Sequence, residues 1–164
     1  MAIKSVLLYP APELKRVAEP APTGDELAAV IADLTDTMQS FEGCVGLAAP
    51  QIGHAVRVAM IDLTGHRKAP PTTHGLLALV DPVVTVFSEE SEVAREGCLS
   101  IPQLTANVRR AVSISVQTAL GDFQFEAFEA RCVLHEIDHL DGLLFLDRVD
   151  SLTNDVFARK QRSA

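Results

Sequence analysis

Between residues 27 and 41, apolar side chains recur at Leu27, Val30, Ile31, Leu34, Met38 and Phe41, the spacing that gathers them on one face of a helix. Thr23 followed by Glu26 reads as a capping box at its start, and Gly43 marks its end. Ahead of it, Pro10, Pro12, Pro20 and Pro22 predict an extended arm laid over the body. Behind it, residues 46–53 hold too much Gly, Ala and Pro for a regular element and predict a loop whose backbone runs close to something. Val56, Val58 and Met60 alternate with Ala55, Arg57 and Ala59 as a half-buried strand would. A polar, proline-bearing loop follows over residues 65–73. Short strands are predicted at 76–80, 83–87 and 93–95, with Asp81-Pro82 breaking the first pair. Val112, Ile114 and Val116 alternate, Gly121-Asp122 turns the chain, and Phe123 and Phe125 continue the pattern. A helix then runs through His139 to Gly142. The chain is predicted to be α+β, with mixed and antiparallel strands packed around a central helix and an amphipathic helix near the N-terminus.

With 164 residues and 48% hydrophobic content, the chain suits a single domain over 1–164. A net charge of -8 argues against DNA or any other partner bound through its phosphates. The basic cluster Arg159, Lys160 and Arg162 is expected to be a solvated helix terminus or tail. No apolar run reaches the roughly eighteen residues of a membrane span. The first twenty residues lack the order of a secretory signal, so a cytoplasmic location is expected. Cys44, Cys98 and Cys132 form no disulfide framework, which leaves metal ligation or burial as their use. His54, His66 and His74 fall in predicted loops and are expected to be solvated, as is the acidic run Glu89, Glu90 and Glu92.

The last helix carries His135-Glu136-Ile137-Asp138-His139. Residues four apart share a helical face, so His135 and His139 can offer two imidazoles to one cation, with Glu136 beside them. Cys132, His135, Glu136 and His139 follow the i, i+3, i+4, i+7 pattern. Leu140 and the apolar run over 143–146 surround the motif, and two buried histidines without a partner would be costly. Asp141, Asp147, Asp150 and Asp155 form no recognisable ligand pattern downstream. Upstream, Cys98 stands beside Gly97 in a segment leaving a strand, where the backbone can bend the sulfur toward a metal. Two imidazoles and a thiolate leave a coordination position open for water, the outline of a hydrolytic site.

Three segments together resemble the peptide deformylases. They are Cys44-Val45-Gly46-Leu47-Ala48-Ala49-Pro50-Gln51, Glu96-Gly97-Cys98-Leu99-Ser100, and Leu134-His135-Glu136-Ile137-Asp138-His139-Leu140-Asp141-Gly142. The resemblance departs from the family pattern where Cys44 replaces a Gly and Leu134 replaces a Gln, and the Gly that often precedes the helix is missing. It implies one divalent metal held by Cys98, His135 and His139, ferrous iron in the cell and replaceable by nickel, cobalt or zinc. The implied substrate is the N-formylmethionyl end of a nascent polypeptide, with transient ribosome contact. Glu136 is the implied general base and acid for attack by metal-bound hydroxide on the formyl carbon. Gln51 and the Leu99 backbone N–H are the implied donors to the formyl oxygen. Gly46 and Gly97 are expected along the peptide, Val45, Phe128, Arg131 and Cys132 around the methionine side chain, and Glu96 with Arg110 as a supporting polar pair. Two alternatives stay open: an amidase with a shifted substrate preference, motivated by Cys44 and Leu134, and a non-catalytic metal- or peptide-binding module.

Overall fold

The computed structural model describes residues 2–159. Along the chain lie α1 (Gly24–Gln39), β1 (Gly46–Ala48), β2 (Val58–Ile61), β3 (Leu77–Val80), β4 (Val83–Phe87), β5 (Ser91–Cys98), β6 (Ile101–Ala111), β7 (Ser113–Thr118), β8 (Gly121–Glu126), α2 (Ala127–Leu140) and β9 (Val156–Ala158). The strands form three three-stranded sheets, ordered β1-β2-β3, β4-β7-β8 and β5-β6-β9. Every ladder is antiparallel, and a parallel contact occurs at the bridge between Glu19 and Val56. The fold is α+β. No helix among the described residues is long and apolar enough to cross a membrane.

The central helix α2 is clasped on several sides. Its Ala130, Val133, Leu134, Ile137 and Leu140 pack with Ala48, Ala59, Ile61 and Leu79 of the first sheet and with Ile114, Val116 and Phe125 of the second. The third sheet brings Cys98, Ile101, Ala106 and Val108 against Leu144 and Phe145, just beyond the helix. Leu134, where the family has Gln, is one of these core residues and adds apolar burial worth about 2 kcal/mol. Helix α1 covers the other side of the first sheet through Val30, Leu34 and Met38.

Several expectations need correction. Thr23 makes no side-chain capping bond, because the chain enters α1 through Gly24 in a left-handed conformation (φ +62) that a capping box does not use. The helix stops at Gln39, which leaves Phe41 beyond its apolar face and 40% exposed. Residues 46–53 are not a plain loop: β1 leads into a 3₁₀ turn over Ala49–Ile52. Strand β2 is buried at all four positions, since α1 and α2 cover its two faces. β6, eleven residues long, reaches back through residues where no strand was predicted, and its Pro102 sits near its start.

The chain end also differs. Residues 156–158 form a strand on the edge of β6, pairing Phe157 with Thr105, so Arg159 leaves a strand and not a helix terminus. Lys160 and Arg162 lie outside the described residues. The N-terminal arm is extended as expected, with a 3₁₀ turn over Pro12–Lys15. It is stitched down by Leu7 N–H donating to Gln51 O (2.7 Å) and Tyr9 N–H donating to Ser100 O (2.8 Å). Behind α2, a Cβ on Gly142 would come within 2.7 Å of the Lys15 carbonyl oxygen, so only glycine lets the arm pass there.

Candidate active site

Strand β5, the turn after it and α2 meet around Cys98, His135 and His139, whose ligand atoms all lie within 4.8 Å of one another. Cys98 alternates inward with Glu96 at the end of β5, where the register shifts, and its sulfur lies 3.4 Å from His139 Nε2. His135 and His139 come from successive turns of α2, with ring centroids 5.0 Å apart. His135 Nδ1 faces Glu96 Oε1 at 2.9 Å, which leaves its other nitrogen as the free donor. Phe145 stacks on the same ring and fixes its plane.

Burial alone would raise the Cys98 thiol. The charge on His139 and hydrogen bonds from His135 and His139 outweigh it and hold the group well below its ordinary value. A sulfur held as thiolate against two imidazoles, one oriented by a carboxylate, is a donor set that fits a divalent ion with borderline-soft preference.

Glu136 points into the same space from α2. It is 4% exposed, and its Oε1 has no hydrogen-bond partner among the described residues. Burial raises its pKa against the pull of His135 and His139, with Cys98 and Glu96 adding to the rise. Gly46 makes room for it: a Cβ there would meet Glu136 Oε2 at 2.6 Å. The close backbone approach expected of this segment is therefore toward the acid.

Gln51 is oriented from both ends. Its Oε1 accepts from Ala48 N–H (3.0 Å), so its amide N–H groups face Ser100 Oγ (3.0 Å) and Cys98 Sγ (3.4 Å). Ser100 was part of a recognised segment but carried no role in the sequence.

Beneath the site runs a chain of buried charges. Arg110 donates twice to Glu96 at 2.9 Å and once to Asp138 at 2.6 Å, while Arg131 Nη1 donates to Glu96 Oε2 at 2.8 Å. Arg148 adds a 2.8 Å bond to Asp138 from the surface. Burial opposes ionisation of Glu96, yet bonds from Arg110 and His135 carry it far below the usual carboxylate range. Arg110 is thus buried and paired. Asp138 and Arg148 escaped the sequence reading, although Asp138 lies inside the His-Glu motif on the face turned from the cavity.

Val45, Gly46, Gln51, Glu96, Gly97, Cys98, Leu99, Phe128, Arg131, Cys132, His135 and Glu136 line one cavity of about 210 Å³, with His139 behind Cys98. Cys44 lines it as well, its thiol donating to Gly46 O at 3.3 Å. Among the loop histidines, His74 is exposed as expected yet its Nδ1 pairs with the buried Glu129 at 2.8 Å, and His66 is half-buried and stacks on Phe128.

Residues 3–155 match the family model described as polypeptide deformylase. The chain belongs to the peptide deformylase family. The peptide deformylase of Rhizobium meliloti (strain 1021) is 38% identical over 98% of this chain and 92% of its own length. A crystal structure of a peptide deformylase from Legionella pneumophila superposes with a TM-score of 0.80 at 35% identity, covering 92% of this chain and 88% of that one. A Met-Ala-Ser-bound class I type b peptide deformylase from Acinetobacter baumannii gives 0.79 at 31% identity, over 90% and 99% of the two chains. Peptide deformylases are metal-dependent hydrolases of protein biosynthesis, and this chain is an enzyme of that kind, deformylating nascent polypeptides.

Proposed function

We propose that the single domain 1–164 removes the formyl group from N-formylmethionyl peptides with Cys98, His135 and His139 holding one divalent cation, and with Glu136 moving the proton. The observation that carries this reading is the buried Glu136 Oε1, without a hydrogen-bond partner among the described residues, beside that three-donor cluster. Ferrous iron is the proposed ion, with nickel, cobalt and zinc as substitutes. Once bound, it supplies Lewis-acid polarisation of the formyl carbonyl and lowers the pKa of adjacent water. Glu136 takes the proton of the water that attacks the formyl carbon, holds it on Oε1, and returns it to the departing amine. Gln51 Nε2 and the Leu99 backbone N–H donate to the formyl oxygen as negative charge develops there. Glu96 holds the His135 ring in one orientation throughout.

The methionine side chain fits the apolar end of the cavity, at Val45, Phe128 and Cys132, with the Arg131 stem alongside. Strands β1 and β5 both end their sheets and both line the cavity, so Gly46 and Gly97 offer edge backbone to an extended peptide. The A. baumannii relative crystallised with Met-Ala-Ser fits the same substrate class. Transient contact with the ribosome and a cytoplasmic site of action belong to the same proposal.

The test is formate release from formyl-Met-Ala-Ser by protein stripped of metal and then reloaded anaerobically with iron or nickel. Release should vanish on stripping, return on reloading at one ion per chain, and exceed release of acetate from acetyl-Met-Ala-Ser. Reloaded protein that binds one ion and frees no formate would overturn the reading; equal cleavage of both acyl groups would favour a broader amidase.

A further inference from the structure

The solvent face of the β5-β6-β9 sheet carries two guanidinium groups at the mouth of the cavity. Glu96 turns to the buried side of β5, so Arg95 and Gly97 turn outward. Across the ladder, Arg95 pairs with Asn107, Gly97 with Thr105, and Thr105 with Phe157. The Arg95 guanidinium lies 3.7 Å over the Phe157 ring centroid and bonds Asn107 Oδ1 and Thr105 Oγ1, each at 3.2 Å. Arg159, one residue beyond β9, is anchored by its N–H on Gln103 O (2.8 Å). Its guanidinium lies against Gly97, where any Cβ would run into Nη2.

Both arginines line the cavity. Arg110 and Arg131, which lie deeper, are bound to Glu96. Arg95 and Arg159 have no ion pair among the described residues, in a chain whose net charge is -8. Glu42 lines the same cavity. The stack on Phe157 and the two side-chain bonds hold Arg95 in place without neutralising it, and the glycine at 97 leaves the space Arg159 fills. The result, among the described residues, is a pair of guanidinium donors without ion pairs beside a free strand edge.

We propose that Arg95 and Arg159 recognise a carboxylate on the second or third residue of the substrate, so that peptides acidic just after the formyl-methionine are preferred. This rests on the deformylase reading. With the formyl group at Cys98 and the peptide along the free edge of β5, the chain passes Gly97 and then Arg95. At about 3.3 Å per residue, the second and third residues come level with both guanidinia. Arginine's planar fork suits a carboxylate, and an exposed pair of this kind acts more on substrate capture than on the chemical step.

The experiment measures kcat and KM for formyl-Met-Ala-Glu-amide, formyl-Met-Ala-Gln-amide and formyl-Met-Ala-Lys-amide, with formyl-Met-Ala-Ala as free acid and amide to separate a side-chain from a terminal carboxylate. The expected order of kcat/KM is Glu over Gln over Lys. A spread of about threefold to fivefold for each exposed guanidinium is expected, carried by KM. The spread should shrink as ionic strength rises from about 0.01 to about 1 M, where the screening length falls from about 30 to about 3 Å. Arg159→Glu should invert the order, Arg159→Lys should keep it, and Arg95→Gln with Arg159→Gln together should flatten it. Equal kcat/KM for all peptides, or an order the substitutions leave untouched, would overturn the proposal. If only the free acid were favoured, the lip would read a chain terminus, and the side-chain assignment would fall. No formate from any peptide would instead overturn the deformylase reading on which it stands.

Discussion

Gly46 and Glu136 occupy one volume between them, since the Cβ that any larger residue would add at 46 comes within 2.6 Å of Glu136 Oε2. Gly46→Ala must therefore push the carboxylate away from the cluster of donors. A displacement near 1 Å at a reacting group can lower turnover about a hundredfold. The expected outcome is a fall of that order in kcat with metal content unchanged, read by formate release beside metal analysis. A second residue-scale expectation concerns Cys44, whose thiol burial pushes up to about 11, outweighing the lowering by the Gly46 backbone, with further rise from Glu136 and Cys98. A raised value keeps it protonated across neutral pH. Alkylation of Cys44 by iodoacetamide should be slow at pH 7 to 8 and should climb toward pH 11, whereas labelling already fast at pH 7 would contradict this environment. At this scale the sequence was most legible where residue type and chemistry coincide. Cys98, His135 and His139 could be chosen because few side chains bind metals, and helical spacing brings two of them together. Arg95 and Arg159 carried no such signal, because their meeting depends on a strand pairing, Phe157 with Thr105, that local pattern does not encode.

Helix α2 begins under strain. Ala127 opens it at φ +54, a left-handed conformation that costs a residue with a Cβ about 1 kcal/mol, and this chain lacks the Gly that its family often has before the helix. Relief of about 1 kcal/mol, less about 0.5 kcal/mol for the entropy that glycine adds to the unfolded chain, leaves about 0.5 kcal/mol, so Ala127→Gly should raise the thermal midpoint by about 1–2 °C. A lowered midpoint would show that the strain is absent. Farther along α2, Asp138 is buried between Arg110 and Arg148, and Asp138→Asn should cost about 3 kcal/mol in denaturant unfolding because Arg110 keeps its charge in a dry place. Elements with a clean period were legible: the second hairpin, read from Val112, Ile114, Val116, Phe123 and Phe125, forms as β7 and β8. β2 was legible as a strand but not as a fully buried one, because Ala55, Arg57 and Ala59 between Val56, Val58 and Met60 give the alternation of a half-buried strand while the structure covers both faces. β6 was missed since Pro102, Gln103 and Thr105 near its start hide its length, and β9 is too short to show a period at all.

Across the whole molecule, the three donors span the seam between the third sheet, which supplies Cys98, and helix α2, which supplies His135 and His139, a seam already bridged by Glu96 with Arg131 and His135 and by Arg110 with Asp138. A bound ion should thus stabilise the folded chain. Removing it with a chelator should lower the thermal midpoint by several degrees, and Cys98→Ser should abolish most of that difference. The overall class was open to reading from patterning and charge, because an apolar helix among alternating strands has few ways to bury itself. The layout of three separate sheets was not, since register between distant strands leaves no local trace. The most direct test of the central claim compares formate release from formyl-Met-Ala-Ser by the parent protein and by Glu136→Gln, both at one ion per chain. Equal metal content is expected, with a kcat lower by about a hundredfold to ten-thousandfold in the variant. Unchanged kcat at full metal occupancy would contradict the claim.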